Sequence, residues 1–419
     1  MPVEEERPRL RWAERGRHAL TQAARLRERP ELGEGDRLAP CRLLHGDNLP
    51  ILEALLPELS GAIQCVYIDP PYNTGEAAEH YEDGLPSGSW LELMRARLER
   101  IRRLLRPEGS LFIHLDDNEI DYVKVLLDEL FGRASFVARI TLDVRAPSAF
   151  STVNRGVFKA SEYLLWYAKD RSRMKVHPLR VSRSFDRSYA RFLDNPEDPP
   201  ARWRVRSLRE ALIEHLGEPN PSPARLERFV VTHAHRICRL APISDRKAGK
   251  ATVEAKRRSL ERPTQVLVVE RPRHGPNYVL DGNQLVFYDR NVQLVEGELR
   301  PSRPLSNIWT DLAWEGIAAE GGVRFKKGKK PERLLHRCLA LCTDPGDHVL
   351  DCFAGSGTTG AVAQKMGRAW ILIEQGDHCR DLLRDRLARV VRGEDEKGVS
   401  AITGWKGGGG FRFFETQPS

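Results

Sequence analysis

The chain has 419 residues, is 40% hydrophobic and 30% charged, and carries a formal net charge of +8, enough material for one large core or two smaller ones. No run approaches about 18 apolar residues, and Glu4, Glu5, Glu6 and Arg7 stand at its start, which argues against a signal peptide or a membrane span and for a soluble, cytoplasmic protein. Its seven cysteines, with Cys65, Cys338 and Cys352 in apparent core elements, read as reduced thiols, and Cys338 and Cys342 near His336 lack the second pair that a zinc site needs, so no metal is expected.

Residues 1–40 are charge-rich and read as a helical arm, with a helical tract from Trp12 to Arg29 stopped by Pro30. Beyond it, strand 41–45, helix 49–58, strand 62–68, helix 89–105, strand 110–115, helix 117–131 and strands 135–143 and 161–168 make one half of a twisted sheet, residues 41–170. Residues 171–304 break this rhythm. They mix turns at Asn195–Pro200 and Gly217–Pro223 with helical pieces (Leu208–Leu216, Ala224–His233) and β-like pieces (Gln265–Glu270, Asn277–Leu280, Gln284–Tyr288). Strand 347–352, helix 358–366, strand 369–374 and helix 376–392 complete the sheet within residues 305–395. Helix alternating with strand requires a mostly parallel α/β sheet. In the tail, 396–419, four glycines from Gly407 read as a linker, and Phe411, Phe413 and Phe414 as a short docked strand.

The first chemical signal is Asp69-Pro70-Pro71-Tyr72, followed by Asn73, Thr74 and Gly75, directly after the apolar strand Ala62–Ile68. Two prolines fix φ and remove two backbone donors, so the strand stops abruptly and the turn is stiff. At the carboxyl end of a parallel strand, that turn sets one carboxylate, two prolyl carbonyls and an aromatic face around one point. Such a cage suits a planar ring bearing an NH2 group. The nitrogen lone pair of a nucleobase amine is delocalised into the ring, so a site must accept both N–H groups; Asp69 and the Pro70 carbonyl are the acceptors and Tyr72 the stacking platform. The competing reading is a plain strand terminator whose Asp caps a neighbouring helix.

A second motif weighs against that plainer reading. About 280 residues later, His348-Val349-Leu350-Asp351-Cys352-Phe353-Ala354-Gly355-Ser356-Gly357-Thr358-Thr359 runs from a strand through a glycine loop into a helix. Gly355 and Gly357 permit a tight turn and close approach of backbone to a ligand, the context that nucleotide-type cofactors use. Neither the Gly-Lys-Ser of a phosphate loop nor a G-x-G-x-x-G pattern is present, so pyrophosphate is not implied. Nineteen residues beyond Gly355, the strand Ala369–Ile373 ends in Glu374, the spacing at which an acid meets ribose hydroxyls.

Together these motifs resemble the S-adenosylmethionine-dependent DNA amino-methyltransferases of the β class, in which the catalytic motif precedes the cofactor motif. Trp90-Leu91-Glu92-Leu93-Met94, Glu108-Gly109-Ser110-Leu111-Phe112-Ile113, Leu115-Asp116-Asp117-Asn118-Glu119, Asp128-Glu129-Leu130-Phe131-Gly132 and Ser161–Lys169 are similar, in order and spacing, to modification subunits of type III restriction systems and their solitary relatives. The similarity covers residues 41–170 and 305–392. It implies a Rossmann-like, circularly permuted α/β fold with an inserted target-recognition region. It also implies transfer of methyl from S-adenosylmethionine to adenine N6 in double-stranded DNA by base flipping, the Asp-initial motif going with adenine where N4-cytosine enzymes more often begin with Ser.

By the same resemblance Asp69, Pro70, Pro71 and Tyr72 are catalytic, with Asp69 also beside the cofactor. Asp351, Phe353, Ala354, Gly355, Ser356, Gly357, Thr358 and Thr359 take the methionine end of the cofactor and Glu374 its ribose. Asp47 approaches its adenine amine or, equally, caps the helix that starts near Leu49. Trp309 and Pro331 close over the methionine part, while Lys330, in the glycine- and lysine-rich stretch with Gly321, Gly322, Lys326, Lys327, Gly328 and Lys329, reads as a phosphate contact or a solvated charge.

Residues 171–300 hold 26 Lys or Arg against 16 Asp or Glu, so the positive excess lies in the inserted region, as a polyanion-binding surface would have it. Arg171, Arg173, Lys175, Arg202, Arg204, Arg206, Lys256 and Arg257 are the candidate DNA contacts; an exposed helix face would account for Lys256 and Arg257 as well. A homodimer and a restriction subunit are the protein partners that the resemblance implies. N4-cytosine methylation, methylation of RNA or of a protein amine, and a DNA-binding protein without catalysis are the rival functions.

Overall fold

The computed structural model describes residues 9–13, 15–17, 21–73, 84–144, 157–272, 275–314, 316–323, 325 and 328–417. Thr74 and Gly75 at the end of the first motif, Glu4–Arg7, and Lys326 and Lys327 lie outside them. The chain divides into two compact units, residues 1–178 with 306–419, and residues 179–305.

The first unit is built on an eleven-stranded sheet. Across it the strands run Leu26–Glu28, Gly410–Thr416, Arg42–His45, Ala369–Glu374, His348–Asp351, Ile63–Ile68, Leu105–Leu115, Ser161–Ala168, Phe136–Asp143 and Ile308–Trp309, with Glu34–Gly35 beside Gly410–Thr416. The six from Gly410–Thr416 to Leu105–Leu115 pair in parallel, and Ser161–Ala168 is antiparallel to both its neighbours. All six residues of Ile63–Ile68 are buried, as a strand covered on both faces requires. Helices Asn48–Leu59, Ser87–Leu104 and Ile120–Phe131 share one core with it through Leu52, Leu55, Trp90, Met94, Ile101, Val123 and Leu127. Helices Glu332–Cys342, Thr358–Lys365 and Leu382–Arg392 pack on one another in turn. The half that carries the Asp69 turn thus precedes the half that carries the glycine loop in the chain, yet His348–Asp351 pairs directly with Ile63–Ile68, Leu350 opposite Val66.

Three boundaries differ from the sequence reading. No α-helix forms among the described residues of 1–40; Leu26–Glu28 is a strand antiparallel to Gly410–Thr416. The open edge of the carboxy-terminal strand, anchored by buried Phe411 and Phe413, offers ladder bonds and the Arg412–Glu28 ion pair at 2.6 Å, and this tertiary pairing outweighs local helix propensity. The expected helix 376–392 starts at Leu382, where the Asp381 side chain accepts the first free backbone N–H, with only a short 3-10 turn Asp377–Cys379 before it. Strand Leu105–Leu115 begins earlier than expected because Leu105 pairs with Ile63 ahead of a register shift.

The second unit has its own sheet, in the order Val205–Ser207, Arg191–Leu193, Ile237–Pro242, Asn283–Phe287, Asn277–Leu280, Leu267–Val269, and a three-stranded one, Val292–Val295, Glu298–Pro304, Arg180–Ser182. Its core gathers Tyr189, Phe192, Leu212, Phe229 and Tyr288. A capping box, with Ser207 and Glu210 each accepting the other's backbone N–H, starts the helix Leu208–Leu216.

Candidate active site

Four neighbouring parallel strands, Arg42–His45, Ala369–Glu374, His348–Asp351 and Ile63–Ile68, deliver Asp47, Glu374, the 351–357 loop and Asp69 at their carboxyl ends. That is where open α/β sheets bind ligands. Backbone bonds tie these ends together: Gly46 N–H donates to the Glu374 carbonyl at 2.9 Å, and Ala354 N–H to the Ile373 carbonyl at 3.1 Å.

Within the glycine loop, Asp351 accepts the Phe353 N–H at 2.9 Å and the Thr359 hydroxyl at 2.5 Å. Burial pushes its carboxyl up to about 7, with the Thr359 hydroxyl and then the Phe353 N–H pulling the other way. Glu374, only 2% exposed, accepts the N–H groups of Gly355 and Gly376, both at 2.8 Å. Gly355 and Gly357 have φ of 52° and 77°, a left-handed region that favours glycine, and a Cβ on Gly357 would come within 3.1 Å of Leu383. Asp47 does cap its helix, accepting the Leu49 N–H at 3.0 Å and the Arg97 guanidinium at 3.0 Å, while its side chain stays 54% exposed and so can still accept from a ligand.

The Asp69 turn is braced from outside. Trp90 Nε1–H donates to the Pro71 carbonyl at 2.9 Å, and Asn73, at φ 59°, donates to Glu119 at 2.8 Å. Inside, the Tyr72 hydroxyl lies 3.0 Å from Asp69 Oδ1 and 3.1 Å from Glu162 Oε2. The Lys330 ammonium donates to the Tyr72 hydroxyl at 2.8 Å and lies 3.2 Å from Asp69 Oδ2 and 3.6 Å from Glu162 Oε2. Behind Glu162, His114 Nε2 stands 2.8 Å away, and His114 Nδ1 shares a hydrogen bond with the Tyr67 hydroxyl at 2.8 Å. Burial opposes charge on Lys330, yet Asp69 and Glu162 outweigh it and raise its pKa. Burial would likewise raise Glu162, but Lys330, then His114 and the Tyr72 hydroxyl, hold it far below the carboxylate range. Tyr72 is pushed well up by burial and by Asp69.

Lys330 is therefore neither a solvated charge nor placed as a phosphate contact: at 8% exposure it is drawn in by the carboxylates of half-buried Asp69 and buried Glu162. Trp309 also departs from expectation. It is 1% exposed in the edge strand Ile308–Trp309, its indole N–H spent on the Ser306 carbonyl at 2.7 Å and its ring 5.0 Å from the Arg337 guanidinium. Three strands lie between its own and Ile63–Ile68, which sets them roughly 19 Å apart at ordinary strand spacing, so it packs the sheet edge. Pro331 is buried and occupies the N-cap position of the helix Glu332–Cys342 without a cap bond of its own, the Glu332 N–H being accepted by Glu320 at 2.9 Å. Glu162, His114 and Tyr67 were not singled out from the sequence; the available signal was a polar residue inside each apolar strand, His114 in Leu105–Leu115 and Glu162 in Ser161–Ala168.

Several expected DNA contacts spend their charge internally. Lys175 bridges Asp344 and Asp347 at 2.8 and 3.0 Å, and Arg173 pairs with Glu108. Arg206 pairs with Asp194 and Glu214 at 2.8 and 2.6 Å, and Lys256 with Asp245 at 2.9 Å. Arg171 donates to the Phe136 carbonyl at 3.0 Å. Arg202, Arg204 and Arg257 are exposed.

The family model described as DNA methylase, N6_N4_Mtase, matches residues 63–384. The chain is 28% identical over 410 residues to the probable type III restriction-modification enzyme HindVI Mod subunit of Haemophilus influenzae, covering 90% of this chain and 54% of that one. It is 27% identical over 354 residues to the StyLTI Mod subunit of Salmonella typhimurium, covering 75% and 48%. With the type II methyltransferase M.EcaI of Enterobacter cloacae it shares 32% over 361 residues, covering 85% and 71%. The chain thus spans about half the length of the two Mod subunits. No helix among the described residues is long and apolar enough to cross a membrane.

Proposed function

The chain belongs to the DNA methylase family that its residues 63–384 match, and we propose that it transfers a methyl group from S-adenosylmethionine to the N6 amine of an adenine flipped out of double-stranded DNA. The observation behind this reading is the juxtaposition of Asp69 with the 351–357 loop on adjacent parallel strands, which brings an amine-accepting carboxylate beside a nucleoside-type cradle.

The residues at the strand ends suit the cofactor chemically. Glu374 is oriented by two backbone N–H groups, each on a different oxygen, and a carboxylate is the acceptor that a ribose hydroxyl calls for. Asp47, half-exposed, would accept from the cofactor's adenine amine, and the Gly355–Thr359 backbone would lie along its methionine end. When bound, S-adenosylmethionine supplies a methyl carbon activated by a sulfonium. Asp69 accepts one N–H of the target amine and stabilises the positive charge that develops on its nitrogen. Because the Pro71 carbonyl is spent on Trp90, the second acceptor is the Pro70 carbonyl. Tyr72 supplies the stacking face, worth about 1–3 kcal/mol against a flipping cost of a few kcal/mol; phosphate contacts by exposed arginines such as Arg202 and Arg204 supply more.

The test is incubation with unmethylated genomic DNA and S-adenosylmethionine, digestion to nucleosides, and mass spectrometry. N6-methyladenine is the expected product. N4-methylcytosine would keep the chemistry and overturn the base assignment, and no methylated base with cofactor bound would overturn DNA as substrate.

A further inference from the structure

Lys330 donates from the place against Asp69 and Tyr72 that an amine substrate would have to enter. Its ammonium is 3.2 Å from Asp69 Oδ2 and 2.8 Å from the Tyr72 hydroxyl, and it lies 4.9 Å from the centroid of the Tyr72 ring. A lysine ammonium and an exocyclic base amine offer the same thing to a carboxylate, an N–H on a nitrogen. Glu162 is the second carboxylate within reach, only 3.6 Å from the same nitrogen.

We propose that Lys330 is the resident counterion of the amine site, occupying Asp69 until the target amine arrives and then retiring onto Glu162. The inference rests on the adenine-amine reading above. The Tyr72 hydroxyl has one proton and two carboxylate neighbours, Asp69 at 3.0 Å and Glu162 at 3.1 Å, so it can serve only one at a time. With Lys330 on Glu162, that proton turns to Asp69 Oδ1 and leaves Oδ2 for the amine. Among the described residues, the charged and titratable groups facing Lys330 are Asp69 and Tyr72 from the turn after Ile63–Ile68 and Glu162 from Ser161–Ala168, with His114 of Leu105–Leu115 behind Glu162 at 2.8 Å. Without the lysine, Asp69 and Glu162 would face each other as like charges with no cation between them, an arrangement that favours a proton on one of the two. A protonated Asp69 loses acceptor capacity toward the amine.

The experiment compares the wild type, K330M, K330R, E162Q and the K330M/E162Q double variant on the same DNA, from pH 6 to 9, with cofactor affinity measured separately by calorimetry. Methylation by the wild type establishes the underlying reading, so the variants test only the lysine. Expected for K330M is cofactor affinity within about threefold of wild type, a loss of kcat/KM for DNA on the order of a hundredfold at pH 7, and an acid limb moved upward, so that activity climbs toward pH 9. K330R should keep the wild-type profile shape, and E162Q added to K330M should recover most of the loss by removing the surplus carboxylate. E162Q alone, which strands the lysine on Asp69, should raise the KM for DNA about tenfold with the acid limb unmoved; it tests the exchange even where K330M does not fold. A K330M profile superposable on the wild type, a double variant no better than K330M, or E162Q with unchanged KM would each overturn the proposal.

Discussion

Arg386 and Glu332 meet at 3.0 Å with neither side chain exposed, and the pair joins the two halves of the site. The other arm of the Arg386 guanidinium holds the Ser356 carbonyl at 3.0 Å and the Thr358 hydroxyl at 2.8 Å. Glu332, two residues after Lys330, begins the helix Glu332–Cys342 and also accepts from Lys365 at 2.8 Å and from the Val399 N–H at 3.0 Å. Lys365 is balanced in turn by Asp395 at 2.8 Å. Two cations and two carboxylates thus cancel in a buried cluster whose members reach the glycine loop on one side and the Lys330-Pro331 segment on the other.

Breaking that cluster from one side leaves a surplus buried charge, which costs about 3–5 kcal/mol. Arg386→Met is therefore expected to lower the urea unfolding free energy by that amount. It should also weaken S-adenosylmethionine binding, because the loop carbonyl of Ser356 loses its donor. A variant within about 1 kcal/mol of wild type would mean that the cluster relaxes, and that the link between the halves is not mechanical.

Asp69→Ala removes the amine acceptor and leaves the glycine loop untouched. Methylation should fall by at least about a hundredfold, the scale for deleting one group that stabilises charge in a transition state, while calorimetric cofactor affinity stays close to that of wild type. Loss of both would give Asp69 a structural role instead, as the anchor of Lys330 and of the Tyr72 hydroxyl.

What the sequence disclosed and what it hid divide along a physical line. The Asp69 turn, the 351–359 loop and Glu374 each concentrate their chemistry in a few contiguous residues, so stiffness, glycine spacing and strand context could be read in place. His114, Glu162 and Lys330 come from three separated segments, and no local pattern states that they will converge on Tyr72. Lys175, Arg206 and Lys256 look like free cations in the chain because their carboxylate partners, such as Asp347, Asp194 and Asp245, are brought to them only by the fold. The tract from Trp12 to Arg29 departs from its helical pattern for the same reason: its strand Leu26–Glu28 exists because Gly410–Thr416, from the other end of the chain, lies beside it.

Tyr72 combines two functions that substitution can separate. Tyr72→Phe keeps the ring and deletes the hydroxyl shared by Lys330, Asp69 and Glu162, so the rate should drop about 3–10-fold, the range of a single hydrogen bond. Tyr72→Ala deletes the stacking face as well and should cost a further ~1–3 kcal/mol, read as weaker binding of DNA carrying an unpaired adenine. Equal losses in the two variants would remove stacking from the account.

The buried carboxyl of Asp351 makes a prediction about stability rather than rate. Its pKa in the folded protein is pushed up by burial from an ordinary value of 3.8 to about 7, so the native state keeps a proton that the unfolded chain has already released between those values. Stability from this group is then highest below about pH 4, falls as the pH rises toward 7, and is level above it. Asp351→Asn cannot titrate, but it loses one of the two acceptor bonds to Phe353 and Thr359, a cost present at every pH. The stability difference between variant and wild type should therefore move in the variant's favour by about 2–4 kcal/mol between pH 4 and pH 8, measured by urea unfolding at both. A difference that stays constant across that interval would mean that Asp351 is ionised throughout, held so by the Thr359 hydroxyl and the Phe353 N–H.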